Sequence, residues 1–524
     1  MRHTRTSVLK GFVLAAGLLV LATGVFAQEQ ERQLGTIGGS PRQDPQRQTS
    51  AEGVPPLPLP ATPLRRSEPK AEPKPPTFAG KLKYGDTQDY MPNPGDIDNL
   101  LRHVRYQIDA WYGWRIVDIN EIAPAPGTPG SGGNETSGGT SGGGGFALPM
   151  LYITGYQAFT FTPEQRAALR QYLVDGGTLV ADAALGSPAF TDSFKREMAA
   201  MFPDHTFRPL DPDHPVYRGY YPYAPVEYFT VKEGHHTKMQ GPPELWGLNI
   251  AARTAVIFSP YDMTCGWDEF YAPAPDEKVP GAPRTRAMMP ADAIRMGINI
   301  VAYVSAQRPF AKAQATTREI EGQQPQQRAA IPLAVLRHQG DWNPDPSSLH
   351  QLVRFAEQDT TIPLTFELRP VDAELEQLVD TPVVIMTGMD DPKLSNAEVE
   401  ALRQHLLAGG FLFINNTSGF ARFDRYARAL MQAILPDRPI ETVQADDAIL
   451  HSLYDIQAMR DAGTQQPRAV ELYKMTLDGR AAIVYSPADT LGRLKGIHDP
   501  YANAYDQDSA RRLALDILTY AMKR

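Results

Sequence analysis

The chain has 524 residues, 42% of them hydrophobic, with 51 basic against 60 acidic side chains and a net charge of -9. That length implies two to three domains of roughly 100–200 residues, and the charge balance lacks the basic surplus that nucleic-acid binding draws on. A single cysteine, Cys265, excludes an intramolecular disulfide, a CxxC redox pair and a multi-cysteine zinc site.

The N-terminus has the layout of an export signal. Arg2, His3, Arg5 and Lys10 form a basic start, GFVLAAGLLVLATGV an apolar core, and VFA ending at Ala27 a small-x-small cleavage site. The apolar run of about 17 residues is at the short limit for a membrane span of roughly 20. Residues 1–27 are therefore expected to be a cleaved signal peptide, with an uncleaved anchor as the alternative. Either way the remainder is expected to be periplasmic or secreted, touching a membrane only through that segment. Residues 28–77 are rich in Pro, Gln, Arg and Glu without apolar periodicity, which predicts a disordered Pro-rich linker.

Strand and helix patterns then alternate. KLKYG reads as a strand, GDIDNLLRHVRYQIDAWYG as an amphipathic helix, and WRIVDIN and LPMLYITG as strands. Between the last two lies a Gly-rich loop, 126–145; its NET at Asn134 matches a glycosylation sequon but carries little weight in low-complexity sequence. TPEQRAALRQYLVDGG opens with Thr162 as N-cap and Pro163 at the first helical position, and closes on glycine. GTLVADA, SFKREMAAMF, TAVIFSP and ADAIRMGINIVAYVSAQ continue as strand, helix, strand and closing helix. YRGYYPYAPVEYF reads as a packing strand or lid. His235-His236 reads as an exposed loop pair. AKAQATTREIEGQQPQQRAA, about 311–330, is expected to link two halves.

The halves are copies. At an offset of 233, Thr154-Gly155 falls on Thr387-Gly388, ALRQ at 168–171 on ALRQ at 401–404, and Gly176-Gly177 on Gly409-Gly410. DYMPNP at 89–94 echoes DWNPDP at 341–346, and RTAVIFSPYD at 253–262 echoes RAAIVYSPAD at 480–489. Matches in the same order throughout indicate tandem duplication. Near-continuous apolar strands alternating with helices predict a mostly parallel sheet covered on both faces. The expected architecture is two tandem flavodoxin-like three-layer α/β sandwiches with central mostly parallel sheets, over 78–310 and, more diverged, 331–524.

DYMPNP, LYITGY, LRQYLVDGGTLVADAALGS, DHPVY and SPYDMTCGW together resemble the bacterial domain of unknown function 4159 family. That family is similar to the class I glutamine amidotransferase-like superfamily, so the resemblance implies that fold rather than an activity. Amidotransferases of this fold carry a cysteine on a tight strand-to-helix turn, where the thiolate attacks an amide carbonyl. The end of GTLVADA is where that turn is expected. It offers Ala181, Asp182, Ala183 and Ala184, and in the second copy Ile414, Asn415, Asn416 and Thr417. Cys265 lies after another strand and reads as a small buried hydrophobe. The G-x-S-x-G pattern is met by GTSGG at 139–143, inside the low-complexity Gly-rich loop, and no H-E-x-x-H or phosphate-binding Gly-Lys-Ser/Thr loop occurs.

In a doubly wound sheet, ligands sit at the carboxyl ends of strands. By sequence position Asp89 and Tyr90, Tyr156, Asp182, and Asp262, Cys265 and Trp267 of the first copy fall there, with Asp213 and His214 on a loop able to reach over. Such a crevice suits a divalent cation, an acid/base pair or a small polar ligand such as a sugar. The competing expectation is that Asp182 caps local backbone and that Asp213-His214 makes a turn. No cofactor is assigned beyond that cation. The sequence points to an exported noncatalytic binding or scaffold protein of the cell envelope, partnered by an envelope protein or a small polar ligand. The alternative is a hydrolase or metal-assisted enzyme on a polar, carbohydrate-like substrate.

Overall fold

The computed structural model describes residues 75–85, 87–122, 148–232, 235–269, 285–320, 331–359, 366–497 and 499–523. The signal segment, most of the Pro-rich segment, the Gly-rich loop with Asn134, and residues 321–330 lie outside them. The first half runs β1 (Thr77–Lys83), α1 (Asp96–Ile108), β2 (Gly113–Asp118), β3 (Met150–Gly155), α2 (Pro163–Val174), β4 (Thr178–Ala183), α3 (Pro188–Met201) and β5 (Arg208–Pro209). It continues with β6 (Val226–Lys232), β7 (His235–Gly241), β8 (Trp246–Ile250), β9 (Arg253–Ser259), α4 (Thr264–Trp267), β10 (Thr285–Met288) and α5 (Pro290–Ile320).

The second half repeats this plan. It comprises β11 (Ile331–Leu336), α6 (Pro346–Asp359), β12 (Phe366–Val371), α7 (Leu375–Leu378), β13 (Val383–Gly388), α8 (Asn396–Leu407), β14 (Phe411–Asn416) and α9 (Ala421–Ile434). β15 (Glu441–Thr442), β16 (Met459–Arg460), β17 (Pro467–Arg468), β18 (Tyr473–Leu477), β19 (Arg480–Ser486) and α10 (Gln507–Met522) complete it. Each half holds a seven-stranded sheet, ordered β2-β1-β3-β4-β9-β8-β5 and β12-β11-β13-β14-β19-β18-β15. The first five strands in each order are parallel, and the sixth, β8 or β18, is antiparallel to both of its neighbours. Counting only parallel strands, each sheet has the doubly wound order 2-1-3-4-5. The structure is thus two tandem α/β sandwiches, as the repeat predicts.

Period-two alternation explains the layers. Met150 and Tyr152 point to one face, with Leu100 and Val104 of α1 and Met296 and Ile300 of α5. Leu151 and Ile153 point to the other, with Leu169 and Leu173 of α2 and Phe190 and Phe194 of α3. The second half buries Val383 and Ile385 toward α6 and α10, and Val384 and Met386 toward α8 and α9. Local signals agree. Thr162 with Gln165, and Ser395 with Glu398, each form a capping box at the matched helix starts of α2 and α8.

Two features depart from the sequence expectation. α5 runs to Ile320, so residues 311–320, expected as linker, are helical; the Ala-, Lys- and Gln-rich AKAQA favours helix once packing has nucleated it. β6, β7 and β10 form a separate three-stranded antiparallel sheet that is matched in the second half only by the short β16–β17 pair.

The halves lie within one compact unit. The loops at the carboxyl ends of the second sheet face the first half. Asp390 pairs with Arg208, Arg422 bonds both Asp390 at 2.5 Å and Asp211, and Gln307 donates to Asp499 at 2.8 Å. Ala252 and Phe310 pack on Met389 and Phe420, and Tyr303 stacks on Tyr501.

Gly177 and Gly410, matched in the repeat, explain the double glycines. A Cβ on Gly177 would lie 2.2 Å from the ring of Tyr172, whose hydroxyl is pinned to the carbonyls of Leu148 and Thr178. Gly177→Ala is expected to lower stability in urea unfolding by about 1–3 kcal/mol through overpacking. An unchanged midpoint would mean that the ring can move.

Candidate functional site

The carboxyl ends of β1, β3, β4 and β9 converge on a buried polar cluster. Asp182 closes β4 and Asp262 follows β9; both are fully buried. Oδ2 of Asp182 accepts the backbone N–H groups of Met263 at 2.8 Å and Thr264 at 3.1 Å, and Oδ1 accepts the hydroxyl of Tyr152 at 2.7 Å. Asp262 accepts from Cys265 N at 2.8 Å and Leu185 N at 2.6 Å. Each carboxylate therefore ties the loop after one strand to another. Burial, then the neighbouring Asp262, pushes Asp182 up from 3.8 to about 7. Asp262 is also raised, first by burial.

Asp89 makes a third tie. It accepts the N–H groups of Tyr156 and Gln157, both at 3.1 Å, and the hydroxyl of Tyr84 at 3.1 Å. Tyr90 is 9% exposed and part of the core. Trp267 is 1% exposed, stacks obliquely on Tyr152 and donates to Ala293 O at 2.8 Å. Cys265 is 4% exposed; its thiol donates to Asp262 at 3.2 Å and accepts from Asn93 at 3.3 Å. Burial first, then Asp262, drives its acidity far below that of a free thiol, the reverse of what a thiolate nucleophile needs.

His214 does not join this cluster. Its Nε2 meets Thr254 Oγ1 at 2.9 Å and its Nδ1 accepts Val216 N at 3.1 Å. Thr254 sits at the amino end of β9 and Asp262 beyond the carboxyl end. At about 3.3 Å per residue the two ends are roughly 20 Å apart. Burial, with Arg208 and Arg218 nearby, lowers the imidazole to about 3, so it is neutral, with the proton on Nε2. Asp213 contributes its main-chain carbonyl to Arg218. The expectation that this loop reaches over the crevice fails because His214 caps the turn at Pro215 and packs toward Phe420 of the second half. His235 and His236 open strand β7, paired with β6, rather than lying in a loop; their side chains lie outside the described residues.

Four members of the cluster were not singled out from sequence. Lys81, fully buried on β1, donates to both oxygens of Asp96 at 2.7 and 2.6 Å and to Asn93 O at 3.0 Å. Thr264 donates to Asp96 at 2.5 Å. A lysine on the inward face of an apolar strand was the available signal. The sharp turn lies one residue beyond its expected place. Leu185 (φ 56°) and Gly186 (φ 65°) make it in the first half, Ser418 (φ 60°) and Gly419 (φ 68°) in the second. Left-handed backbone at a leucine or serine is strained. It is held because Leu185 N donates to Asp262 and Ser418 N to Asp489 at 2.9 Å.

The second half shows which ties the fold requires. Asn415 takes the place of Asp182: its Oδ1 accepts Thr490 N at 2.9 Å and Leu491 N at 3.2 Å, and its Nδ2 donates to Asp489 at 3.1 Å. Asp489 also accepts Gly492 N at 2.8 Å. Lys81, Asp96, Tyr152 and Thr264 are matched by Val335, Ser348, Ile385 and Leu491. The backbone latch persists and the buried ion pair does not. Among the described residues no group of three or more His, Cys, Asp or Glu side chains is arranged to hold a metal ion. The carboxylate oxygens already accept N–H and O–H groups, a donor-rich setting that opposes a cation.

The profile described as domain of unknown function (DUF4159) fits residues 145–304 and again residues 332–522. No curated protein matches the chain.

Two predictions follow from the latch. A carboxyl whose folded value is raised stabilises the fold at low pH, and that stability is lost as pH rises from about 4 through 7. Asp182→Asn, imitating Asn415, is expected to fold and to flatten this loss, narrowing it by on the order of 2–4 kcal/mol in urea unfolding across pH 5–8. A variant with the wild-type pH slope would show that Asp182 is not the group responsible. Lys81→Val alone is expected to cost about 3–5 kcal/mol by leaving Asp96 buried and unpaired, and Lys81→Val with Asp96→Ser to recover most of it. Additive losses in that cycle would mean that the pair is not coupled.

Proposed function

We propose, for a chain that belongs to the DUF4159 family in both of its halves, an exported, noncatalytic binding or scaffold role in the cell envelope. The observation that carries this reading is the fate of the carboxylates at the strand ends. Asp89, Asp182 and Asp262 spend their lone pairs on backbone N–H groups. Where the repeat provides a second copy of the same place, a neutral asparagine performs the same task as Asp182. Chemistry would need a free base or nucleophile there. The turn that could present one carries Leu185 in the first half. In the second it carries Ser418, 2% exposed, whose carbonyl accepts Asn503 N at 2.9 Å.

Exposed aromatic surface supports a partner. Tyr106 is 77% exposed, and Trp111, Ile116, Tyr220 and Tyr223 are also exposed in the first half. Tyr220 bonds Gln107 O at 2.7 Å, which draws it to the end of α1 beside Tyr106. Aromatic side chains of this kind anchor protein interfaces. Export rests on the basic and apolar character of residues 1–27.

The test uses the full-length chain in its own envelope. A photo-crosslinking residue at Tyr106 is expected to capture one discrete envelope component, equally in wild-type and Asp182→Asn protein. N-terminal sequencing of the recovered chain is expected to begin at Gln28. Hydrolysis of a glycan, ester or amide by wild-type protein that Asp182→Asn abolishes would overturn the noncatalytic reading.

A further inference from the structure

At the outer edge of the first sheet, away from the strand-end cluster, α3, β5 and β8 border an open cavity of about 310 Å³. Its walls are Met198, Phe207, Trp246 and Leu248, with Lys195 and His205 at the rim. That volume lies at the lower end of the range for small-molecule sites, which are mainly apolar with a few polar groups. The ammonium of Lys195 stands 3.7 Å from the centroid of the Trp246 ring, and Trp246 in turn packs against Phe207.

The repeat supplies an internal control. Lys195 and Trp246 are matched in the second half by Arg428 and Tyr473, again a cation over an aromatic ring, at 3.9 Å. There the cation is neutralised: Asp424 accepts Arg428 Nε through both oxygens at 2.9 and 3.0 Å and also accepts the hydroxyl of Tyr485 at 2.9 Å. In the first half the place of Asp424 is taken by Thr191, whose hydroxyl turns back to Ser187 O at 2.8 Å. The place of Tyr485 is taken by Phe258. Among the described residues no carboxylate is hydrogen-bonded to Lys195; the carboxylate at this place, Glu244, instead accepts the indole N–H of Trp246 at 3.5 Å. The same cation–aromatic pair is thus kept in both halves, but among the described residues the cation of the first half is bonded to no carboxylate, and a cavity lies beside it.

We propose that this cavity binds a small organic carboxylate with a flat apolar body. The carboxylate takes the place that Asp424 fills in the second half, forming a charge-assisted hydrogen bond to Lys195, and the body lies against Trp246 and Phe207. The proposal does not depend on the noncatalytic reading, since the cavity shares no residue with the strand-end cluster.

The probe is 2-naphthoate, with 2-naphthylmethanol as its uncharged counterpart, titrated calorimetrically into the full-length chain. Wild-type protein is expected to bind the acid at least tenfold more tightly than the alcohol. Lys195→Met should weaken the acid by about tenfold while leaving the alcohol unchanged, and Lys195→Arg should restore it. Thr191→Asp, which rebuilds the internal anion of the second half, should weaken the acid to a similar degree. No binding of the acid at millimolar concentration, equal affinity for acid and alcohol, or wild-type affinity in both Lys195→Met and Thr191→Asp would overturn the proposal. All three substitutions lie on the partly exposed face of α3, so circular dichroism can confirm folding before titration.

Discussion

One side-chain oxygen holds each half together at its busiest point. In the first half it belongs to Asp182, in the second to Asn415, and in both it accepts two consecutive N–H groups from the loop beyond the neighbouring strand. Buried backbone donors at that place have to be satisfied, because leaving one unpaired costs about 1–3 kcal/mol. A second acceptor, Asp262 or Asp489, holds the N–H of the left-handed residue in the following turn. The parallel sheet, the sharp turn and the loop after β9 or β19 are thereby fixed relative to one another. What looks like an acidic crevice in sequence is mostly the joinery of the fold.

The duplication separates what the fold requires from what it tolerates. Lys81 and Asp96 pair across the interior of the first half, and Val335 and Ser348 occupy the same places in the second. On the opposite face of the sheet, Arg166 is bidentate to Glu197, and the matched residues Val399 and Leu430 both pack against the hydrophobic core. Well-packed apolar groups commonly replace buried ion pairs without loss, since desolvation offsets much of the Coulomb attraction. Both solutions coexist in one chain on one backbone plan.

The architecture was legible because it rests on short-range signals. Strand periodicity, the Thr162 N-cap, the paired glycines and the repeat itself all lie within a window that sequence reasoning can see. The site was less legible because its meaning depends on partners distant in the chain. Asp182 and Met263 N are 81 positions apart, and nothing in TLVAD says whether its last carboxylate faces a ligand or an amide. His214 shows the same limit: its turn was readable, but its place at the amino end of β9, against the second half, follows from the packing of Phe420 and Thr254. The turn itself was misplaced by one residue because a leucine gives no sign of left-handed backbone.

The seating of the first half on the carboxyl-end loops of the second divides the evolutionary fate of the twins. Asp341, Asp390, Phe420 and Asp499 face a surface of their own chain. Mutual fit across the seam constrains the side chains at those positions. Among the described residues, the equivalent loops of the first half make no such pairing with its twin. Sequence change should therefore have different signatures in the two halves: paired substitutions across the seam in one, and independently constrained residues around the mouth of the other.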